Sequence, residues 1–203
     1  VVLRPVPRPA GLFDQVVVRL RRQITSGAWP VGSRIPTEPE LVQQLGVARN
    51  TVREAVRALA HNGLLDIRHG SGTYVLATSE LEGVMRRRFA AVGQRDVIDV
   101  RDALEVAAAR LAALHRTEED LRHLDGSLGA GAAFHRALVS ASHNEVLITL
   151  YSDLTRLLPP DRAACAPAAS GDHARLLAAV HASASRTAAD EAASHASACH
   201  LGH

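Results

Sequence analysis

The stretch Ala48-Arg-Asn-Thr-Val-Arg-Glu-Ala-Val-Arg-Ala-Leu-Ala-His-Asn-Gly63 constrains the fold most, because two helical periodicities run through it at once. Val52, Ala55, Val56 and Leu59 follow the i, i+3, i+4, i+7 spacing of an apolar stripe that must be buried. Arg49, Arg53 and Arg57 recur every four residues on another side. Gly63 supplies a stop. Planar guanidinium forks along one helical face suit phosphates and guanine edges, which accept paired hydrogen bonds. Taken alone, the same pattern also describes a solvated surface helix, so the flanking sequence has to decide.

Leu12, Val16, Leu20 and Ile24 lie four apart and predict an amphipathic helix over 12–26, ended by Gly27. Trp29-Pro-Val-Gly-Ser-Arg-Ile-Pro36 contains two prolines and a glycine, which force an extended connector. Thr37 and Glu40 have the spacing of a capping box, so a short helix should begin there and end at Gly46. Helix, tight turn and basic helix thus arrive in helix-turn-helix order. After Gly63, the runs 64–68 and 73–75 read as two short strands joined by His69-Gly-Ser-Gly72, a wing. A plain hairpin would explain those glycines equally well in isolation.

Charge is divided unevenly. Residues 1–76 hold ten arginines against five acids, and residues 77–203 thirteen against sixteen, so a net +2 hides halves of +5 and −3. A basic first half points to a polyanionic partner. No lysine occurs, so this charge does not titrate. Residues 1–10, proline-rich with two arginines, read as a flexible arm. Two cysteines, Cys165 and Cys199, are too few for a secreted disulfide scaffold, and no signal peptide or 18-residue apolar span is expected, which favours a cytoplasmic protein with no membrane partner.

Over roughly residues 11–76 the connector, the capped short helix, the Arg-x-x-x-Arg-Glu-Ala helix and the Gly-Leu-Leu…His-Gly-Ser-Gly-Thr-Tyr-Val wing resemble the winged helix-turn-helix domain of the GntR family of bacterial transcription regulators. The resemblance implies that Arg34, Arg49, Asn50, Thr51, Arg53, His69 and Gly70 contact DNA. Two departures stand out. Ala48 replaces the family's usual serine, at a cost of ~0.5–2 kcal/mol in lost capping unless Thr51 and Glu54 form a box one turn later. Pro39 stands where an arginine is usual, so the resemblance does not carry that arginine's phosphate or base contact over to this chain.

Residues 77–94, with Leu81, Val84, Met85 and Val92 around Arg86-Arg-Arg88, read as a linker and first helix. Residues 95–203 carry no strand signal and predict an antiparallel helical bundle, with helices over 97–114, from Thr117, from Phe134, over 146–158, and over 170–184 and 187–201. The whole is a mainly α chain. Arg101-Asp-Ala-Leu-Glu105, Phe134-His135…Asn144 and Asp172-His173-Ala-Arg-Leu-Leu-Ala-Ala-Val180 are similar to the FCD effector-binding domain of the FadR-like branch.

That resemblance implies a divalent metal held by an aspartate and three histidines. By position the histidines are His135, His173 and His195, while the carboxylate position is Gly131. Three imidazoles still suit zinc or nickel, with water or an effector carboxylate completing the shell. His200 is an alternative last ligand, and Asp125 an alternative carboxylate if the glycine-rich segment folds back. Arg101 can clamp a carboxylate effector, or simply pair with Glu105 along its helix. The remaining histidines are read as surface or structural.

Together these features predict a non-enzymatic, ligand-responsive repressor. It would bind a short inverted-repeat operator in double-stranded DNA as a homodimer at the bacterial nucleoid, and be released by a small carboxylate. Two rivals remain: a DNA-binding protein whose bundle only dimerises, and a metal-dependent hydrolase. The hydrolase lacks a carboxylate at helical spacing beside the histidines to serve as general base.

Overall fold

The computed structural model describes residues 11–159 and 170–201. The expected arm at 1–10, Pro160, Cys165 and His203 lie outside them, as do the side chains of Cys199 and His200. The chain divides between Ala90 and Ala91 into two compact units.

The first unit opens with α1 (Leu12–Thr25), whose Val16, Leu20 and Ile24 form the buried stripe, while Leu12, expected in it, is exposed at the helix start. α2 (Glu38–Leu45) starts at Thr37, where the Glu40 carboxylate accepts from both the backbone N–H and the hydroxyl of Thr37 at 2.7 Å. Pro39 sits in the first turn, where a missing N–H costs nothing. Gly46 ends α2 in the left-handed conformation with φ 67°. The basic helix is α3 (Arg49–His61), and its buried residues are Val52, Ala55, Val56 and Leu59. Ala48 is its N-cap and gives no side-chain bond, and Thr51 lies inside the helix, so no later box replaces the absent serine.

β1 (Leu65–Arg68) and β2 (Gly72–Val75) pair antiparallel, with Leu65 opposite Val75 and Arg68 opposite Gly72. The connector joins this wing instead of merely spanning a gap. Ile35 N–H donates to the Thr73 carbonyl and Val75 N–H to the Ser33 carbonyl, each at 2.9 Å, so Arg34 forms an antiparallel bridge with Tyr74 at the edge of the two-stranded wing. The core closes with Ile35, Leu41, Leu64, Leu65 and Val75 around the stripes of α1 and α3.

α4 (Glu80–Arg88) belongs to this unit. Its Glu82 is fully buried, accepting from the backbone and hydroxyl of Thr78 at 3.0 Å and from Arg86 Nε at 2.9 Å. Arg87 donates to the His61 carbonyl. Two of the three consecutive arginines are thus tied into structure.

The second unit is entirely helical among the described residues. It comprises α5 (Gln94–His115), α6 (Glu118–Ser127), α7 (Ala132–Ser140), α8 (Glu145–Leu157), α9 (Ser170–His181) and α10 (Ser185–Leu201). α5 is the centre, touching α7, α8, α9 and α10. Ala109, Ala112 and Ala113 on α5 are buried and small, as are Ala188 and Ala192 on α10 in the same cluster, so the two backbones can approach closely. The helix expected from Phe134 to Asn144 stops at Ser140, and Asn144 instead caps α8 by accepting from Leu147 N–H. Asp120 caps α6 by accepting from Thr117 N–H at 2.8 Å, as its spacing predicts.

One close approach in the first unit has a measurable consequence. Gly83 of α4 lies against Gly63, and a Cβ on Gly83 would stand 2.1 Å from the Gly63 carbonyl oxygen, which is backbone and cannot swing away. Gly83→Ala should therefore cost about 1–3 kcal/mol, roughly a 10 °C fall in the melting temperature of a unit this size. Fluorescence of Trp29, the chain's one tryptophan, follows this unit directly. An unchanged melting curve would show that α4 does not pack there.

Candidate functional site

Two groups of the expected residues are drawn together, one in each unit. In the first, Arg49 and Asn50 are exposed in the opening turn of α3, and Thr51 and Arg53 are half-buried beside them. Glu38, the first residue of α2, brings the two arginines to one place. Its Oε2 lies 3.4 Å from Arg53 Nε and 3.8 Å from Arg49 Nε. Arg34 lies along the wing, where its guanidinium occupies the space a side chain on Gly72 would need: a Cβ there would be 2.5 Å from Arg34 Nε. Gly72, at φ 126°, is what admits it. His69 and Gly70 form the exposed turn between β1 and β2, with Gly70 at φ 75°. Arg68 covers the Tyr74 ring, 4.4 Å from its centroid, and Ser71 Oγ meets Tyr74 OH at 2.8 Å, which stiffens the wing behind that turn.

In the second unit, His135 of α7, His173 of α9 and His195 of α10 converge, all buried. His173 Nε2 lies 3.2 Å from His195 Nε2, which in turn lies 3.4 Å from His135 Nε2. Phe134 packs beside them, stacked on His173 with centroids 4.4 Å apart. The outer nitrogens face acceptors. His135 Nδ1 is 2.6 Å from Glu105 Oε1, His173 Nδ1 is 3.2 Å from the Leu128 carbonyl, and His195 Nδ1 is 3.9 Å from Asp172 Oδ2.

A carbonyl and an ionised carboxylate can only accept, so His173 and His135 carry their protons on Nδ1 and turn Nε2 lone pairs inward. Such lone pairs, pointed at one another in a buried site, call for a cation or a shared proton between them. Two nitrogens bound to one tetrahedral metal at about 2.0–2.1 Å stand roughly 3.3–3.4 Å apart, and the two separations fit that spacing. An ion held there would have three imidazole ligands and room for a water or a carboxylate.

Charge follows the same geometry. Burial, reinforced by the neighbouring rings, lowers the His195 pKa to about 4, and burial also lowers that of His173. Burial alone would raise the Glu105 pKa, but the hydrogen bonds from His135 and the Tyr151 hydroxyl, with the Arg101 charge, hold it below the usual carboxylate range.

Other expectations resolve differently. Gly131 is the N-cap of α7, one turn before His135, and brings no carboxylate. Asp125 does not turn to the histidines but meets His181 Nε2 at 3.2 Å. Arg101 forks onto Asp102, with Nη2 at 2.8 Å and Nε at 3.0 Å. Glu105 meets not only His135 but Tyr151, a partner the spacing of Arg101 and Glu105 does not suggest, whose hydroxyl donates to Glu105 Oε2 at 3.0 Å. A signal was available: Glu105 lies on the same buried face as Ile98, Ala108 and Ala112, a carboxylate where an apolar residue belongs.

The first unit is thus a winged helix and the second a helical bundle with a buried cluster of histidines. Residues 12–75 match the family model described as bacterial regulatory proteins, gntR family, and residues 96–198 match the FCD domain. The chain belongs to the GntR family of bacterial transcriptional regulators and carries an FCD domain.

It is 32% identical over 156 residues to the Uxu operon regulator of Haemophilus influenzae, covering 70% of this chain and 59% of that protein. It is 35% identical over 154 residues to the HTH-type transcriptional regulator LutR of Bacillus subtilis, covering 66% and 70%. The chain thus spans less than two thirds of the first of these relatives. Among solved structures, a GntR protein of Streptococcus agalactiae is 25% identical with a TM-score of 0.53, covering 92% of this chain and 98% of that one. These relatives are regulators, not enzymes. No helix among the described residues is long and apolar enough to cross a membrane.

The histidine pocket makes stability pH-dependent. An unfolded histidine titrates near 6.5 and His195 in the fold near 4, so between these values only the unfolded chain gains the proton. Stability conferred by the neutral ring is complete above about pH 6.5 and falls as pH drops towards 4, by on the order of 3 kcal/mol for this residue. Metal-free protein melted across pH 7.5 to 4 should show that fall, reduced in His195→Gln. A flat profile would mean that the ring is solvated.

Proposed function

We propose that the chain is a ligand-responsive repressor in which residues 11–76 bind operator DNA and residues 95–203 bind effector and dimerise. Arg49, Asn50, Thr51 and Arg53 enter the major groove of a short inverted repeat, while Arg34, His69 and Gly70 engage the backbone or minor groove. The gathering of Arg49 and Arg53 at the exposed start of α3 supports this reading. With Pro39 in the position of a usual arginine, those two side chains carry a larger share of base readout.

The observation that carries the sensory half of the proposal is the meeting of three Nε2 atoms in a buried pocket. His135, His173 and His195 are well disposed to hold a divalent ion, zinc or nickel, which would supply a Lewis-acidic position for a carboxylate. Arg101, in the neighbourhood of Glu105, adds positive charge on the same helix. An effector acts by binding the DNA-free and DNA-competent states unequally, and so shifts the dimer off its operator. The protein works in the cytoplasm at the nucleoid.

An operator selected from a random pool by the wild-type protein provides the DNA test. Arg49→Ala should lose about 1–3 kcal/mol of specific affinity and show a shallower dependence on salt. Affinity equal to wild type would remove Arg49 from the readout. For the sensory half, zinc at a hundred times its dissociation constant should stabilise the native protein by about 2.7 kcal/mol, with a further gain from a small carboxylic acid and neither in His173→Ala. A bundle that only dimerises would not respond to either ligand.

A further inference from the structure

We propose that Glu105 is a positioning residue for the ion at the three histidines, supplying from behind His135 the negative charge that an all-imidazole set lacks, with Tyr151 holding its carboxylate in place. This rests on the metal reading above and deepens it. Glu105, His135 and Tyr151 are all buried and come from α5, α7 and α8. A carboxylate withdrawn from water is costly unless hydrogen-bonded and faced by positive charge, and Glu105 is provided with partners on both oxygens, His135 on Oε1 and Tyr151 on Oε2.

The chemistry gives that placement a use. Three neutral imidazoles bring no charge to a divalent cation. A carboxylate accepting Nδ1–H at 2.6 Å fixes the ring with Nε2 facing inward and makes that nitrogen a stronger donor. The three outer contacts are unequal: the Leu128 carbonyl behind His173 is neutral, and Asp172 stands 3.9 Å from His195 Nδ1 and also pairs with Arg175. Glu105 alone is both charged and close among the three. Tyr151 keeps its proton, since burial and then the Glu105 charge push its pKa well above the ordinary value, and so remains a donor that holds the second oxygen away from the ring.

Glu105→Gln preserves size and an acceptor for Nδ1–H while removing the charge. Zinc affinity of the full chain, measured by competition with a chromophoric chelator, should fall about 10–100-fold in this variant. Tyr151→Phe should lower affinity in the same direction and by less. Far-UV circular dichroism of the metal-free proteins checks that the fold persists. Nitrogen-15 spectra of the metal-free histidines supply a readout that packing alone would not move: His135 should be the Nδ1–H form in wild type and shift in both variants. If Glu105→Gln does not fold, Tyr151→Phe decides the matter. Equal zinc affinity in wild type and folded variants overturns the role of Glu105 while leaving the metal site standing. A wild-type chain that takes up no zinc overturns the metal reading and this inference with it.

Discussion

The second unit is organised by a packing constraint with an electrostatic consequence. α10 can lie along α5 because alanines face one another, and that close approach carries His195 into the interior where α7 and α9 present His135 and His173. Three imidazoles within an apolar bundle are expensive unless their polar atoms are satisfied. The outer nitrogens are met by Glu105, the Leu128 carbonyl and, at longer range, Asp172. The inner nitrogens face each other. Burial keeps this cluster short of positive charge, since it depresses the pKa values of His195 and His173.

The first unit solves a different problem, which is to keep arginines at the surface of a small core. The stripe of α3 packs on α1, and the connector adds to the wing, so α3 and the wing turn are each braced from behind. Glu38 then gathers Arg49 and Arg53. Surface pairs of this kind contribute little to stability; their effect is to narrow the range of side-chain positions offered to a partner. α4 completes the unit through the contact of Gly83 with Gly63, which only glycine permits at both positions.

Much of this was legible because periodicity and caps are local. The stripe in α3, the Thr37–Glu40 box, the Gly46 stop and the paired strands all follow from residues within a few positions of each other. The histidine trio was legible only by resemblance, since residues 135, 173 and 195 are joined by tertiary packing. What escaped was non-local in the same way. Nothing near Tyr151 in the chain announces Glu105, and nothing near Gly83 announces Gly63. The end of α7 at Ser140 was missed because Asn144 looks like a continuing helix until its side chain is seen capping α8. Glu105 was the one exception, a charge on a buried stripe.

What lies between the three histidines decides the function of the second unit. Crystals of the protein grown with zinc, measured on both sides of the zinc absorption edge, should show one anomalous peak per chain within bonding distance of the Nε2 atoms of His135, His173 and His195. A pocket without that peak, or zinc found only at surface histidines such as His143 or His181, would contradict it.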